Sequence, residues 1–316
     1  MTATAAMMLR TRVENFAEPV ADALATVRPM NIRLWQIAFI VGLGAEARAQ
    51  FGAGWLQDEK YWGDGKAEFN LYDAQEVRYG HARASEVIHV LVREPFSQRE
   101  LVKAEPGSKA GTYPVLKLNQ ILHVPTGIYV YQQMHSAFWR TDSAALVKAT
   151  LTSSDSCGNT YKEFRALAGP ASWLGGGWRY EWRTYWEGAS AGEETVRAPK
   201  DAVFYDELPM RVRTIDFAKP PGSFEIQLAP TVVRSKKDDV KFAPASVSWS
   251  RTGRDLVVKV TAGALADEFL LDGEAPYRLR EWRMGDGGKL TLRRSLKIDY
   301  WNYNKPGDKE RALALP

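Results

Sequence analysis

The chain has 316 residues, of which 45% are hydrophobic and 25% charged, a composition typical of a globular protein with a sizeable core. Its 42 basic and 38 acidic residues are interspersed and give a net charge of only +4. This excludes the clustered positive charge of a nucleic-acid-binding protein. Because Cys157 is the only cysteine, no intrachain disulfide can form. We interpret Cys157 as a small buried or semi-buried residue, or as a thiol that pairs between exported chains.

Residues 30–49 have the three parts of a secretory signal peptide. Arg33 supplies the positive charge, residues 34–45 form an apolar run, and Ala47-Arg48-Ala49 places small side chains where signal peptidase requires them. The apolar run is shorter than the roughly 20 residues that a membrane-spanning helix needs. We therefore predict cleavage after Ala49.

Cleavage would leave a mature chain that starts at Gln50 and has no transmembrane anchor, so we expect a periplasmic or secreted protein. Residues 1–29 contain acidic side chains, which suit the start of a signal peptide poorly. We interpret these residues as a mis-assigned start upstream of Met30 or as a disordered extension. The alternative is a cytoplasmic chain in which residues 34–45 form a buried strand.

Apolar and polar residues alternate along most of the predicted mature chain, 50–316, and this is the period of a half-buried strand. The 11 Trp and 13 Tyr favour sheet as well. Many short strands separated by turn signals are typical of a sandwich or barrel. The predicted strands are 67–72, 86–93, 115–123, 127–134, 146–153, 160–167, 178–186, 223–229, 241–250, 255–261, 266–271, 277–284 and 290–300.

Helical patterns are scarce. Residues 201–208 predict one short helix that Pro209 limits, and residues 73–85 predict one or two helical turns. Alternation is lost over residues 187–222, which predicts a hinge between two β halves or one long crossover. The expected fold is therefore mainly β, with antiparallel sheets forming a barrel, half-barrel or sandwich and one or two short helices.

No motif in the sequence predicts catalysis. Residues 42–47 imitate a dinucleotide-binding fingerprint, but no crossover helix pattern follows them. Gly188-Ala189-Ser190-Ala191-Gly192 has the form of a nucleophile elbow, but we interpret it as a flexible turn because a polar segment follows. The histidines lack the spacing of zinc ligands: His81, His89, His123 and His135. We predict no catalytic residue, no metal and no cofactor.

One predicted strand concentrates aromatic side chains on one face. Trp178, Tyr180, Trp182 and Trp186 alternate with polar residues. Such a face binds an apolar ligand or a sugar if it is exposed, and it is core if it is covered. We take these four residues as the candidate ligand-binding residues.

Short motifs spread over residues 61–306 resemble a family of uncharacterised exported bacterial proteins of about this size, some of which carry the label septum formation inhibitor. The motifs are Tyr61-Trp62, Gly65-Lys66-Ala67-Glu68, Tyr72, Glu76-Val77-Arg78-Tyr79-Gly80, Val115-Leu116-Lys117-Leu118-Asn119, Thr126-Gly127-Ile128-Tyr129, Ser156-Cys157-Gly158 before Tyr161, Tyr185-Trp186-Glu187-Gly188, Ala275-Pro276-Tyr277 near Trp282, and Asp299-Tyr300-Trp301. Family members often have Trp where Ser156 stands. The resemblance implies export and a β architecture. The label would imply a cytoplasmic nucleotide pyrophosphatase, which the export signal and the strand pattern oppose.

Two functional hypotheses follow. The first is a non-enzymatic envelope protein whose curved sheet holds an apolar small molecule such as a lipid, or which binds another envelope protein. The second is a secreted hydrolase that acts on a glycan or an ester. An enclosed apolar cavity would favour the first, and an open cleft with two facing carboxylates would favour the second.

Overall fold

The computed structural model describes residues 51–108, 111–167, 177–199 and 201–315. The predicted N-terminal extension, the signal peptide with its cleavage site at Ala49, and Gln50 lie outside the described residues.

The described residues form fifteen strands. Eight strands come first along the chain: β1 (Ala67–Arg78), β2 (His81–Ser97), β3 (Thr112–Thr126), β4 (Tyr129–Arg140), β5 (Leu146–Asp155), β6 (Gly158–Ala166), β7 (Gly177–Arg183) and β8 (Ala191–Arg197). Seven follow: β9 (Ala202–Phe204), β10 (Gly222–Ala229), β11 (Ala243–Thr252), β12 (Asp255–Ala262), β13 (Leu265–Asp272), β14 (Leu279–Arg283) and β15 (Lys289–Ile298).

Helices in the described part are short. They are α1 (Glu59–Trp62), α2 (Leu208–Arg211) and α3 (Asp308–Leu313), with single 3₁₀ turns at Gly54–Gln57, Tyr205–Glu207, Val212–Thr214 and Tyr300–Asn302. No helix in the described part of the chain has the length and hydropathy needed to cross a membrane.

The fifteen strands form one sheet in the order β8-β7-β6-β5-β4-β3-β2-β1-β15-β14-β13-β12-β11-β10-β9. Neighbouring strands are antiparallel, except that β9 runs parallel to β10. The last strand, β15, pairs with the first, with Ile298 opposite Ala67. The first eight strands therefore form one half of the sheet, with β8 at its edge, and the last seven form the other half, with β9 at its edge. The two halves meet where β1 pairs with β15. The predicted mainly β, antiparallel fold is confirmed.

The sheet curls until its two edges come close together. β8 ends at Arg197 and β9 begins at Ala202, and five Cα steps reach at most about 19 Å. A flat sheet of this many strands would separate its edges by roughly 65 Å, at about 4.8 Å per strand. Across the gap, the rings of Trp178 on β7 and Phe204 on β9 have centroids 5.4 Å apart. Because β8 and β9 do not pair, the curled sheet stays open along this seam.

Residues 204–217, here called the inner segment, fill the space inside the curled sheet. The segment turns helical where the Glu207 side chain accepts a hydrogen bond of 2.8 Å from the Phe204 N–H. Its apolar side chains join two buried clusters. Leu208, Val212, Ile215 and Phe217 pack with β10–β15, and Phe204 and Met210 pack with β2–β7.

Buried polar contacts fix the inner segment to the sheet. The Gln120 side chain on β3 donates to the Asp206 carbonyl at 2.6 Å, and the Trp139 indole on β4 donates to Glu207 Oε2 at 2.8 Å. The segment between β10 and β11, which contains Asp238, is fixed to β6 in the same way. The Lys162 ammonium on β6 lies 2.5 Å from Asp238 Oδ2. Buried polar groups need such partners, so these contacts specify where each segment lies.

Residues 73–85 are not helical, contrary to the prediction. They form the hairpin between β1 and β2, with its turn at Tyr79-Gly80. From Gln75 to Ser85 the side chains are at least partly exposed on both faces of the hairpin, so the alternation of a half-buried strand is weak there.

The helix predicted at residues 201–208 is also misplaced. Strand β9 occupies Ala202–Phe204, and the α-helix begins only at Leu208. Pro209 lies in its first turn rather than after its end. A proline is tolerated there because the first backbone N–H groups of a helix have no partner within it.

Two further expectations need correction. The strand predicted at 178–186 ends at Arg183, and residues 187–222 contain β8, β9 and the inner segment. Cys157 is exposed rather than buried, because it lies in the two-residue turn between β5 and β6.

Candidate ligand-binding cleft

The structure divides the predicted aromatic face. Trp178, Tyr180 and Trp182 share the inner face of β7, where Trp178 and Tyr180 are buried. Trp186 lies beyond the end of β7 and is partly exposed. The Lys236 ammonium is 4.4 Å from the centroid of its ring. Trp178 and Tyr180 therefore belong to the core, Trp182 packs against it half-buried, and Trp186 lies apart from them.

Residues 188–190 of the motif that has the form of a nucleophile elbow lie in a turn, as the sequence interpretation expected, and residues 191–192 begin β8. Ser190 lies between β7 and β8, and its carbonyl accepts a hydrogen bond of 2.7 Å from the Thr184 N–H. Within the described ranges, no group of three or more His, Cys, Asp or Glu side chains is placed to hold a metal ion.

A row of buried polar side chains crosses the inner face of β1–β4. Asn70, His89, Gln120 and His135 are successive cross-strand partners. The Gln120 amide nitrogen lies 3.0 Å from His135 Nδ1 and 2.6 Å from the Asp206 carbonyl oxygen. The amide uses one hydrogen for each, so Nδ1 of His135 accepts and its Nε2 carries the proton.

Both histidines of this row are neutral. Burial, with a smaller effect of the Arg213 charge, lowers the pKa of His89 to about 3. Burial also lowers the pKa of His135, although Asp206 and Glu207 oppose the shift. A neutral, covered row of this kind positions the inner segment and makes stability depend on pH.

An open cleft lies where three distant segments of the chain meet: residues 52–58, 214–218 and 275–277. Its volume is about 660 Å³, within the range of several hundred Å³ that is typical of small-molecule sites. One segment precedes β1, one ends the inner segment, and one is the turn between β13 and β14.

Aromatic rings form much of the cleft wall. Trp55, Phe217 and Tyr277 line it, and the rings of Phe217 and Tyr277 have centroids 4.9 Å apart. Phe217 is held from behind by Trp249, at a centroid distance of 5.1 Å. Rings that are fixed in this way offer a rigid apolar surface to a ligand.

A buried ion pair beneath Trp55, here called the floor, supports this wall residue without itself lining the cleft. Arg213 donates to both oxygens of Glu68, at 2.8 and 2.9 Å, and its Cζ lies 4.5 Å from the centroid of the Trp55 ring. Arg213 also donates to the Pro276 carbonyl at 2.9 and 3.2 Å. One guanidinium thus joins the inner segment, β1 and the 275–277 turn.

Glu68 has the hydrogen bonds that a buried carboxylate needs. Besides Arg213, it accepts from the Tyr61 hydroxyl and from the Asn70 amide, each at 2.6 Å. Burial alone would raise the pKa of Glu68, but the Arg213 charge and these hydrogen bonds lower it to about 2. The floor is therefore ionised and saturated, and it supports the cleft rather than carrying chemistry.

Two carboxylates, Asp58 and Asp216, provide the acidic groups of the wall. Asp58 accepts a hydrogen bond of 2.9 Å from the Lys60 N–H, and Asp216 accepts one of 3.3 Å from the Ala218 N–H. The hydroxyl of Thr214 donates to the Arg211 carbonyl at 2.7 Å and is not free to act as a nucleophile. The described residues that line the cleft include no His, Cys, Lys or Ser. The cleft is suited to binding an apolar or ring-bearing molecule with a small polar group.

The sequence did not indicate this cleft as a site. Its walls come from segments more than 50 residues apart, and no periodicity connects them. One signal was present: the motifs Tyr61-Trp62, Glu68 and Ala275-Pro276-Tyr277, which carry part of the family resemblance, meet around Arg213.

Comparison with known proteins gives little guidance. No protein-family model matches the chain, and no curated protein matches it. One solved structure that matches is described as a DUF1089 family protein from Pseudomonas aeruginosa, at 12% identity and a TM-score of 0.32. The match covers 52% of this chain and 82% of that one. The likeness is too distant to carry an argument about function.

Proposed function

We propose that the chain is an exported, non-enzymatic envelope protein that binds an apolar small molecule, such as a lipid, in the cleft walled by Trp55, Phe217 and Tyr277. The cleft, of about 660 Å³, is open rather than the enclosed cavity expected of a carrier, so the observation that carries the proposal is its fixed aromatic wall. Its rigid, saturated floor adds to this, because a preorganised site binds without ordering its own side chains.

Blocking the cleft tests this proposal. Ala218 lines the cleft and is exposed, so Ala218→Trp is expected to fill it without disturbing the core. The matched control is Ala264→Trp, in the exposed turn between β12 and β13. Titration with the neutral fluorophore N-phenyl-1-naphthylamine is expected to show saturable binding that Ala218→Trp weakens roughly tenfold or more.

The control variant is expected to bind the fluorophore as the wild type does. Absence of saturable binding, or equal affinity in the wild type and Ala218→Trp, would contradict the assignment of the cleft as an apolar ligand site.

A secreted hydrolase is the second candidate, and the openness of the cleft together with Asp58 and Asp216 favours it. If it is correct, a panel of glycan and ester substrates should reveal turnover that both Asp58→Asn and Asp216→Asn abolish. Absence of turnover on the panel counts against a hydrolase, and turnover that survives both substitutions counts against catalysis by Asp58 and Asp216.

Export is tested separately from ligand binding. Amino-terminal sequencing of the protein recovered outside the cytoplasm is expected to find Gln50, free or cyclised, as the first residue, because Ala47-Arg48-Ala49 provides the cleavage site. Recovery of the protein only from the cytoplasm, or a different first residue, would contradict the predicted signal peptide.

A further inference from the structure

In the half of the sheet formed by β1–β8, four hairpin turns lie at one end, and three of them expose large apolar side chains. Consecutive antiparallel hairpins place alternate turns at the same end, so the β1–β2, β3–β4, β5–β6 and β7–β8 turns are neighbours. Tyr79 is 66% exposed, Ile128 fully exposed, Tyr185 72% exposed and Trp186 36% exposed. These four residues, together with exposed Val130, are called the turn surface.

Contacts between the turns make this surface continuous. The Tyr79 hydroxyl lies 2.6 Å from the Tyr131 hydroxyl and 3.3 Å from the Tyr129 hydroxyl, which joins the first two turns. Tyr185 lies over the β5–β6 turn, because a methyl group at Gly158 would be 2.5 Å from its ring. The row of turns spans about 30 Å, given two strands of about 4.8 Å each between successive turns.

The turns themselves do not require these side chains. Two-residue hairpins favour Asn, Asp or Gly at their central positions. Tyr79 instead adopts a positive φ of 54°, a conformation that is uncommon for a bulky residue. In the β3–β4 turn, Gly127 takes the positive φ of 77°, so Ile128 beside it need not be apolar.

Positive charge lies beside the apolar tips. Arg183 at the end of β7 and Lys236 are exposed, and neither forms an ion pair with another described residue. The ammonium of Lys236 lies over the Trp186 ring. Of the carboxylates at these turns, Asp155 accepts hydrogen bonds from the Cys157 N–H and the Ser235 hydroxyl, and Glu187 is exposed.

We infer that the turn surface docks on an anionic lipid bilayer, with the apolar tips at the level of the headgroups. Tyr and Trp place an apolar ring and a polar atom across that interface, and Lys and Arg bury their stems while their charges reach the phosphates. The exposed apolar side chains form a row at the tips of the turns rather than a pocket, and such a row can insert between lipid headgroups. Behind them, exposed Met134 and Tyr161 continue the apolar region into a trough of about 540 Å³ on the outer face of the sheet.

Vesicle flotation of the full exported protein tests this inference. The probes are vesicles of phosphatidylcholine alone and vesicles with about one third phosphatidylglycerol. The protein is expected to float with the anionic vesicles at about 0.1 M salt and to bind more weakly as salt screens the charges. The double variant Ile128→Ser/Trp186→Ser is expected to bind roughly tenfold less well, because it removes buried apolar area at the interface.

Trp301→Ser is the matched control, because Trp301 is 47% exposed but lies outside the turns. It is expected to float as the wild type does, and both variants should unfold at the wild-type urea concentration. Lys236→Glu should reduce binding to the anionic vesicles. Failure of the wild type to float with either vesicle, or equal flotation of the wild type and the double variant, would overturn the inference.

Discussion

Replacing Glu68 with glutamine is expected to lower the free energy of unfolding by about 3–5 kcal/mol, because it leaves the buried Arg213 charge without its partner. Both side chains are almost completely buried, and the pair has two hydrogen bonds of 2.8 and 2.9 Å. Tyr61 and Asn70 would lose a charged acceptor as well. Urea unfolding followed by tryptophan fluorescence at neutral pH measures the loss.

The chain offers a matched control for this substitution. Glu59 accepts the same paired contact from Arg93, at 2.6 and 2.7 Å, but on the exposed surface. Glu59→Gln is expected to leave the unfolding curve nearly unchanged, because water solvates both charges. Adding Arg213→Met to Glu68→Gln is expected to recover part of the lost stability. Equal effects of Glu68→Gln and Glu59→Gln would show that the buried pair does not hold the inner segment.

Acidification from pH 6.5 to 5 is expected to destabilise the protein, by about 2 kcal/mol from His89 alone, at roughly 1.4 kcal/mol per pH unit for one proton. The pKa of His89 is about 3 in the fold, against an ordinary value of 6.5. Below pH 6.5 the His89 side chain therefore binds a proton in the unfolded chain but not in the folded chain. The free energy of unfolding decreases as the pH is lowered. His135 acts in the same direction.

Apart from His135, the charged groups that face His89 do not titrate in this window. Arg213 stays charged, and the lowered pKa of Glu68 means that its stabilising charge is lost only at lower pH, between its ordinary value of 4.5 and about 2. His89→Gln is expected to reduce the slope of stability against pH by about one proton, whatever its effect at neutral pH. The control His123→Gln, at an exposed position, should keep the slope. An unchanged slope in His89→Gln would contradict a buried, neutral His89.

Local patterns in the sequence predicted much of the sheet. Residues 290–300 alternate because one face of β15 packs on the core, and the structure has the strand at Lys289–Ile298. The polar strand β8, Ala191–Arg197, escaped prediction because it is an edge strand with most of its side chains exposed. Tyr79-Gly80 was not identified as a hairpin turn because Asn or Asp is expected there.

Tertiary contacts explain why the candidate site could not be predicted. The alternation of Trp178, Tyr180 and Trp182 placed them correctly on one face of β7. What covers that face is set by Phe204 and Asp238, which no local pattern connects to β7. The cleft likewise depends on Arg213, whose partners lie about 145 residues before it and 63 residues after it. Contacts between residues so far apart in the sequence produce no periodic pattern that a single sequence could reveal.

Mass spectrometry of the protein purified without detergent tests whether an apolar molecule occupies the cleft. An organic extract of the wild type is expected to contain an apolar molecule in about a one-to-one ratio with protein, and the extract of Ala218→Trp is expected to lack it. The control Ala264→Trp should retain it. A wild-type extract without such a molecule, or the same molecule at the same ratio in Ala218→Trp, would contradict binding in the cleft.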